Sequence, residues 1–240
     1  MQYRIYNSIN NTIGLNVAEV SLLTSITDEI STIVQDKYPS SGMHTIDHAV
    51  DVANRAYQYA VLELLDGDPT FKLKSLSKIT LLESVIVAGL IHDIFSNTNR
   101  DTHHILGAWY VRNDPVIDNI CNNFDLPKDL IAHAIEHHRA STTTKHSDNW
   151  WYNHPVSHFI ATADRRLNIS EFYHKWKSLE NQDDQYNLIT HMVDKFGPNG
   201  YSQFPPYTYI YRNNELTKIQ ELCSSASNIT KQFNQYIKEG

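Results

Sequence analysis

Between Ser77 and Ile94 the chain places Ile86, Val87, Ala88, Leu90 and Ile91 so closely that no helical face stays polar. A helix that is apolar nearly all round has to be enclosed by other elements, so this segment predicts the central helix of the fold. The run ends on His92-Asp93. A carboxylate there suffers a heavy desolvation cost unless it is paired or bound to a cation, so the end of this helix is the first candidate site.

The rest of the chain supplies helices to enclose it. Apolar residues from Val17 to Val34 recur at helical spacing behind Asn16, a candidate N-cap, and Tyr38-Pro39-Ser40-Ser41-Gly42 ends that run. His44 to about Leu65 reads as the next helix and stops at Asp66-Gly67-Asp68-Pro69. Shorter helices are predicted over 103–112 and 115–123, and from Pro127 to about Ala140, before a polar loop from Ser141 to Asn149. A helix starts at Pro155, runs through Asp164 and continues toward Leu179; others cover Asp183–Phe196 and Asn214–Ile237. Between the last two, the Gly/Pro clusters at 197–200 and 204–207 and the alternating tyrosines 207, 209 and 211 predict a short strand or extended loop. The expected fold is all-α, a helical bundle with a partly irregular C-terminal covering segment. One domain over 1–240 is expected, with a core at 40–180 and a C-terminal elaboration at 181–240.

Composition removes several functions. A formal net charge of -7 works against attachment to duplex nucleic acid, which needs a basic stripe, and favours a small substrate. No stretch approaches the ~20 apolar residues of a membrane span, and the first residues are too polar for a signal peptide. Two cysteines without metal-type spacing, Cys121 and Cys223, fit a reducing compartment, so a cytoplasmic location is expected.

The chain holds 13 histidines, eight of them between His44 and His138. Neutral imidazole is the commonest nitrogen ligand of transition metals, and a spaced series of imidazoles and carboxylates can converge in the core of a bundle. His48, His92, Asp93, His104, His138 and Asp164 are spread over five predicted helices and form the candidate ligand set. Of His103 and His104, the spacing of the latter to Gly107-Ala108 selects His104. His133 and His137 are four apart on one helical face; His137 is a candidate ligand or a residue that orients one, and His133 is not expected to bind. Trp109, Trp150, Trp151 and Trp176 are candidates for the core or a pocket wall.

These motifs resemble those of the HD-domain metal-dependent phosphohydrolases. The resemblance rests on His48 in HTIDHAVDVA, His92 and Asp93 in AGLIHDI, and Asp164 in ATADRR, and it covers about half the chain, 44–168. His104 in HILGA and His138 in AIEHHR are similar to positions of the two-metal members, dinucleoside tetraphosphate hydrolases among them. The four-residue spacing of His44 and His48 is similar to that of cyclic-nucleotide phosphodiesterases. Where many members carry a lysine after the doublet, this chain reads Ile94-Phe95-Ser96-Asn97, and the first base is Arg100.

The resemblance implies a metal-dependent phosphohydrolase acting on a nucleotide or related small phosphoester or phosphoanhydride by metal-activated water. It implies one or two divalent ions, Fe, Mn, Co or Ni, with His48, His92, Asp93 and Asp164 on the first and Asp93, His104 and His138 on the second. Asp93 and His44 are then the catalytic candidates, His44 as proton donor, and Arg139, Lys145, Arg165 and Arg166 the phosphate-binding ones. A two-iron oxygenase on the same fold and a non-catalytic nucleotide sensor stay open as alternatives, as does a homodimer.

Overall fold

The computed structural model describes residues 14–40, 44–66, 76–139, 146–165, 167, 169–200 and 217–239. The fold is all-α, with no strand among the described residues. The chain forms two compact units, Met1–Asp164 and Arg165–Gly240.

In the first unit α1 spans Val17–Val34, followed by a 3-10 turn at Gln35–Lys37, α2 at Ile46–Asp66 and α3 at Lys78–Ile91. Helices α4 (His103–Asn113), α5 (Pro115–Asn123), α6 (Lys128–Glu136), α7 (Asp148–Asn153) and α8 (Pro155–Asp164) complete it. Local chemistry sets the starts: Asn16 makes a reciprocal capping box with Glu19, Ser77 accepts from Thr80 N, and Asp114 caps α5 ahead of Pro115. Helix α3 is the hub, packed by α1, α2, α6 and α8, and every residue from Leu81 to Ile91 is buried. The sequence expectation for a central apolar helix therefore matches the structure.

Helices α2 and α3 meet backbone to backbone. A Cβ on Gly89 would lie 2.6 Å from the Ala53 Cα, so glycine is what lets the two backbones meet.

Four segments differ from expectation, three of them before Ile169. Helix α6 ends at Glu136 rather than near Ala140, and His138 beyond it bonds the Ile135 carbonyl through Nδ1 at 2.6 Å, satisfying one of the helix-end acceptors from outside the helix. Helix α7 begins inside the predicted loop, because Ser147 caps it by accepting from Trp150 N. The helix from Pro155 stops at Asp164 and a separate one starts at Ile169.

The second unit contains α9 (Ile169–Ser178), α10 (Gln182–Phe196), α11 (217–222) and α12 (Ala226–Glu239). Phe172, Tyr173, Met192, Phe196, Cys223 and Phe233 are among its buried core residues. The single C-terminal helix expected over 214–237 is interrupted, since Ser225 Oγ accepts from Asn228 N at 3.3 Å and starts a new helix. The tyrosines 207, 209 and 211 and the rest of the expected covering segment over 201–216 lie outside the described residues. No helix of the described residues is long and apolar enough to cross a membrane.

Candidate metal centre

The first unit gathers its imidazoles and carboxylates at the C-terminal end of α3. His48 stands in the first turn of α2, where Thr45 Oγ1 accepts from its backbone N at 3.4 Å. His92 and Asp93 follow the last turn of α3, and Tyr38 donates its hydroxyl to Leu90 O at 2.9 Å, satisfying one of the carbonyls that a helix end leaves open. Asp164 is the last residue of α8, where Arg55 Nε donates to Ala163 O at 3.0 Å and ties that end to α2.

Two groups of donor atoms result: His48, His92, Asp93 and Asp164, and Asp93, His103 and His138, each within 4.8 Å of one another. Asp93 belongs to both and gives each a different oxygen. Its Oδ2 lies 3.7 Å from His48 Nε2 and 3.4 Å from His92 Nε2, whereas Oδ1 lies 3.0 Å from His103 Nε2 and 3.6 Å from His138 Nε2. Asp164 Oδ1 closes the first group at 3.2 Å from His48 and 3.6 Å from His92.

Hydrogen bonds on the far side of three rings fix their tautomers. Nδ1 of His92, His103 and His138 donates to the carbonyls of Gly89, Arg100 and Ile135 at 2.8, 2.7 and 2.6 Å. In the neutral ring the proton is then on Nδ1, and each Nε2 turns a lone pair toward the others and toward Asp93. His103 Nε2 and His138 Nε2 are 3.4 Å apart, and buried His92 Nε2 has no hydrogen-bond partner among the described residues. Lone pairs aimed at one another and at a carboxylate repel unless a cation lies among them. The donor set, imidazole nitrogen with carboxylate oxygen, suits a divalent transition ion, and the backbone bonds are of the kind that orient metal-bound histidines.

The titration behaviour has the same origin. Burial pushes the Asp93 carboxyl up, but the imidazoles of His92, His103, His138 and His44 outweigh it and hold it well below the usual carboxylate range. Burial acts likewise on Asp164, where His48 and His92 prevail and hold it low. For His92 burial pulls the pKa down, yet Asp93 and Asp164 raise it to about 10. Without an ion, the positive charge that the two carboxylates call for falls to His92, while His138 is held low chiefly by burial.

Of the residues singled out by sequence, His48, His92, Asp93, His138 and Asp164 are brought together. His104 is not in either group; His103 takes that place. The reason is helical: His103 shares a face with Gly107, whose Cβ would touch Ile135 Cγ2 at 3.0 Å and His92 O at 3.7 Å, so the 103/107 face is the one turned to α3 and α6. Spacing alone does not separate the two, since His103 is four from Gly107 and His104 is four from Ala108. His104 is buried with its pKa lowered to about 4 by burial and then by His138 and His103.

His44 reaches the site from ahead of α2, its Nδ1 2.5 Å from Asp93 Oδ2 and its Nε2 2.8 Å from Arg100 Nη1. Among the phosphate candidates, Arg139 is engaged by Asp101, with Nη1 on the backbone oxygen at 2.5 Å and Nη2 on Oδ1 at 2.9 Å. Arg165 is buried in the second unit, and Lys145 and Arg166 lie outside the described residues. Tyr38 and Arg100, which hold the doublet and His44, carried no sequence signal beyond a helix-ending tyrosine and the first base after the doublet.

A separate set of rings meets by stacking. Trp150 lies between His146, at 3.6 Å and 6°, and His154, at 4.1 Å and 22°, so both indole faces are covered, while Trp151 is buried. Trp109, a candidate for the core, is instead 61% exposed on α4. Comparison of the chain with protein-family models, with curated proteins and with solved structures returns no match.

Proposed function

We propose that this protein is a metal-dependent phosphohydrolase of the HD-domain kind, acting on a nucleotide or a related small phosphoester or phosphoanhydride. The observation that carries the reading is Asp93 shared between two donor groups, Oδ2 toward His48 and His92 and Oδ1 toward His103 and His138. A carboxylate placed in this way suits two neighbouring divalent ions. Such ions supply Lewis acidity and bring the pKa of water toward neutrality.

In this reading His48, His92, Asp93 and Asp164 hold one ion, and Asp93, His103 and His138 a second. The carbonyls of Gly89, Arg100 and Ile135 keep the three rings in the binding tautomer. His44 stands at the edge of the cluster with Nδ1 on Asp93 Oδ2, and in its imidazolium form it would keep that bond and offer the Nε2 proton to the leaving oxygen.

The test is a screen of the purified protein, loaded separately with Mn, Fe, Co and Ni, against nucleotides and small phosphoesters. Metal-dependent release of phosphate or nucleotide that is lost in Asp93→Ala is expected. Silence across the panel with metal bound overturns the reading, and two irons per chain with oxygen consumption on an organic substrate replaces it with an oxygenase.

A further inference from the structure

Arg100 touches both halves of the candidate centre. Its carbonyl accepts from His103 Nδ1 at 2.7 Å, and its guanidinium donates through Nη1 to His44 Nε2 at 2.8 Å. The turn that allows this is built by Asn99, whose Oδ1 accepts from Asp101 N at 3.0 Å and Thr102 N at 3.2 Å.

The charge state of that contact is unusual. Among the described residues of the first unit, Arg55 faces Asp51, Arg112 faces Asp129 and Glu136, and Arg139 faces Asp101. Arg100 faces an imidazole instead, and it is exposed. A guanidinium offers five N–H donors and can only donate, so His44 must present a lone pair at Nε2 and keep its proton at Nδ1. One neutral acceptor uses a small part of that capacity. An oxyanion would bind the same fork in a bidentate, charge-assisted manner about twice as strong as a neutral hydrogen bond.

We propose that Arg100 is the anion-binding residue of this site, releasing His44 Nε2 to take the phosphate of the substrate as the substrate enters. The proposal rests on the phosphohydrolase reading and extends it. It assigns the phosphate contact to a base seven positions after Asp93, and it makes His44 Nε2 accessible to substrate when a phosphate is present to draw the guanidinium away. The two partners of Arg100 then have separate functions: the backbone bond to His103 persists, and the side-chain bond to His44 is exchanged.

The experiment is binding of inorganic phosphate to the full chain loaded with Mn, by calorimetry, for the wild type, Arg100→Gln and Arg100→Lys, with metal content measured on each. Arg100→Gln is expected to keep its metal and bind phosphate about tenfold or more weaker, as fits loss of a charge-assisted contact, and Arg100→Lys to recover part of the loss. Wild-type affinity in metal-replete Arg100→Gln overturns the assignment of Arg100 and leaves the hydrolase reading standing. Loss of metal from Arg100→Gln also overturns it, by showing that the side chain supports the cluster. A metal-loaded wild type with no affinity for phosphate at millimolar concentration overturns the hydrolase reading, and this inference with it.

Discussion

Nε2 of His103 stands 3.0 Å from Oδ1 of Asp93, on the opposite oxygen from the one that faces His48 and His92. One carboxylate thus divides its two oxygens between two sets of imidazoles, and removing different members of the cluster should have unequal consequences.

Asp93→Ala is expected to abolish metal binding altogether, since both donor groups include that residue. His103→Gln should lose part of the bound metal and His104→Gln none, because His104 lies outside both groups. Metal analysis of each protein purified without chelators, with far-ultraviolet circular dichroism to confirm that helicity is kept, reads the difference. Equal metal content in His103→Gln and wild type would reverse the assignment of the two histidines.

Chelation should destabilise the fold. Asp93 is buried and Asp164 is held low by its ring partners, so the ionised pair needs the compensating charge that a bound ion provides. A ligand present at a thousandfold its Kd stabilises by about 4 kcal/mol, so thermal unfolding with and without EDTA should differ by several degrees. An unchanged midpoint after complete metal removal would show that the cluster is not energetically coupled to folding.

Gly89→Ala tests the close approach of α2 and α3. The added Cβ would lie 2.6 Å from the Ala53 Cα, and backbone on both sides leaves no flexible side chain to yield. Overpacking of this kind costs about 1–3 kcal/mol, visible as a lower urea midpoint at constant slope. Metal affinity should fall as well, since the Gly89 carbonyl orients His92.

Glu83 gives a pH dependence independent of the cluster. It is buried in α3, and burial, with Asp125 adding to it, raises its pKa from the ordinary 4.5 to about 7. The folded state then holds a proton that the unfolded chain has released, so stability falls as pH rises from 4.5 to about 7 and the full cost is present above that window. That cost is on the order of 3 kcal/mol. Glu83→Gln should be more stable than wild type at pH values above the window, with the gap closing toward its lower end, as read by denaturant titration at several pH values.

Much of the site was legible along the chain. The apolar run into His92-Asp93 announced a buried helix with a polar end, and His48, His138 and Asp164 could be picked out as donors by residue type and order. Spacing alone does not separate His103 from His104, since Gly107 and Ala108 lie four residues beyond each in turn, and a lone Ser147 cap is a weak signal for α7 in a polar stretch.

By itself, then, the sequence determined the helical class, the burial of α3 and the chemical identity of most donors, because periodicity and residue type act over one or two helical turns. Only the tertiary structure decided which oxygen of Asp93 meets which ring, and that Arg100 reaches His44 across 56 positions. Those relations depend on how α1, α2, α6 and α8 are packed around α3 and how α4 is packed on α6, and packing joins residues whose separation along the chain carries no periodic signal.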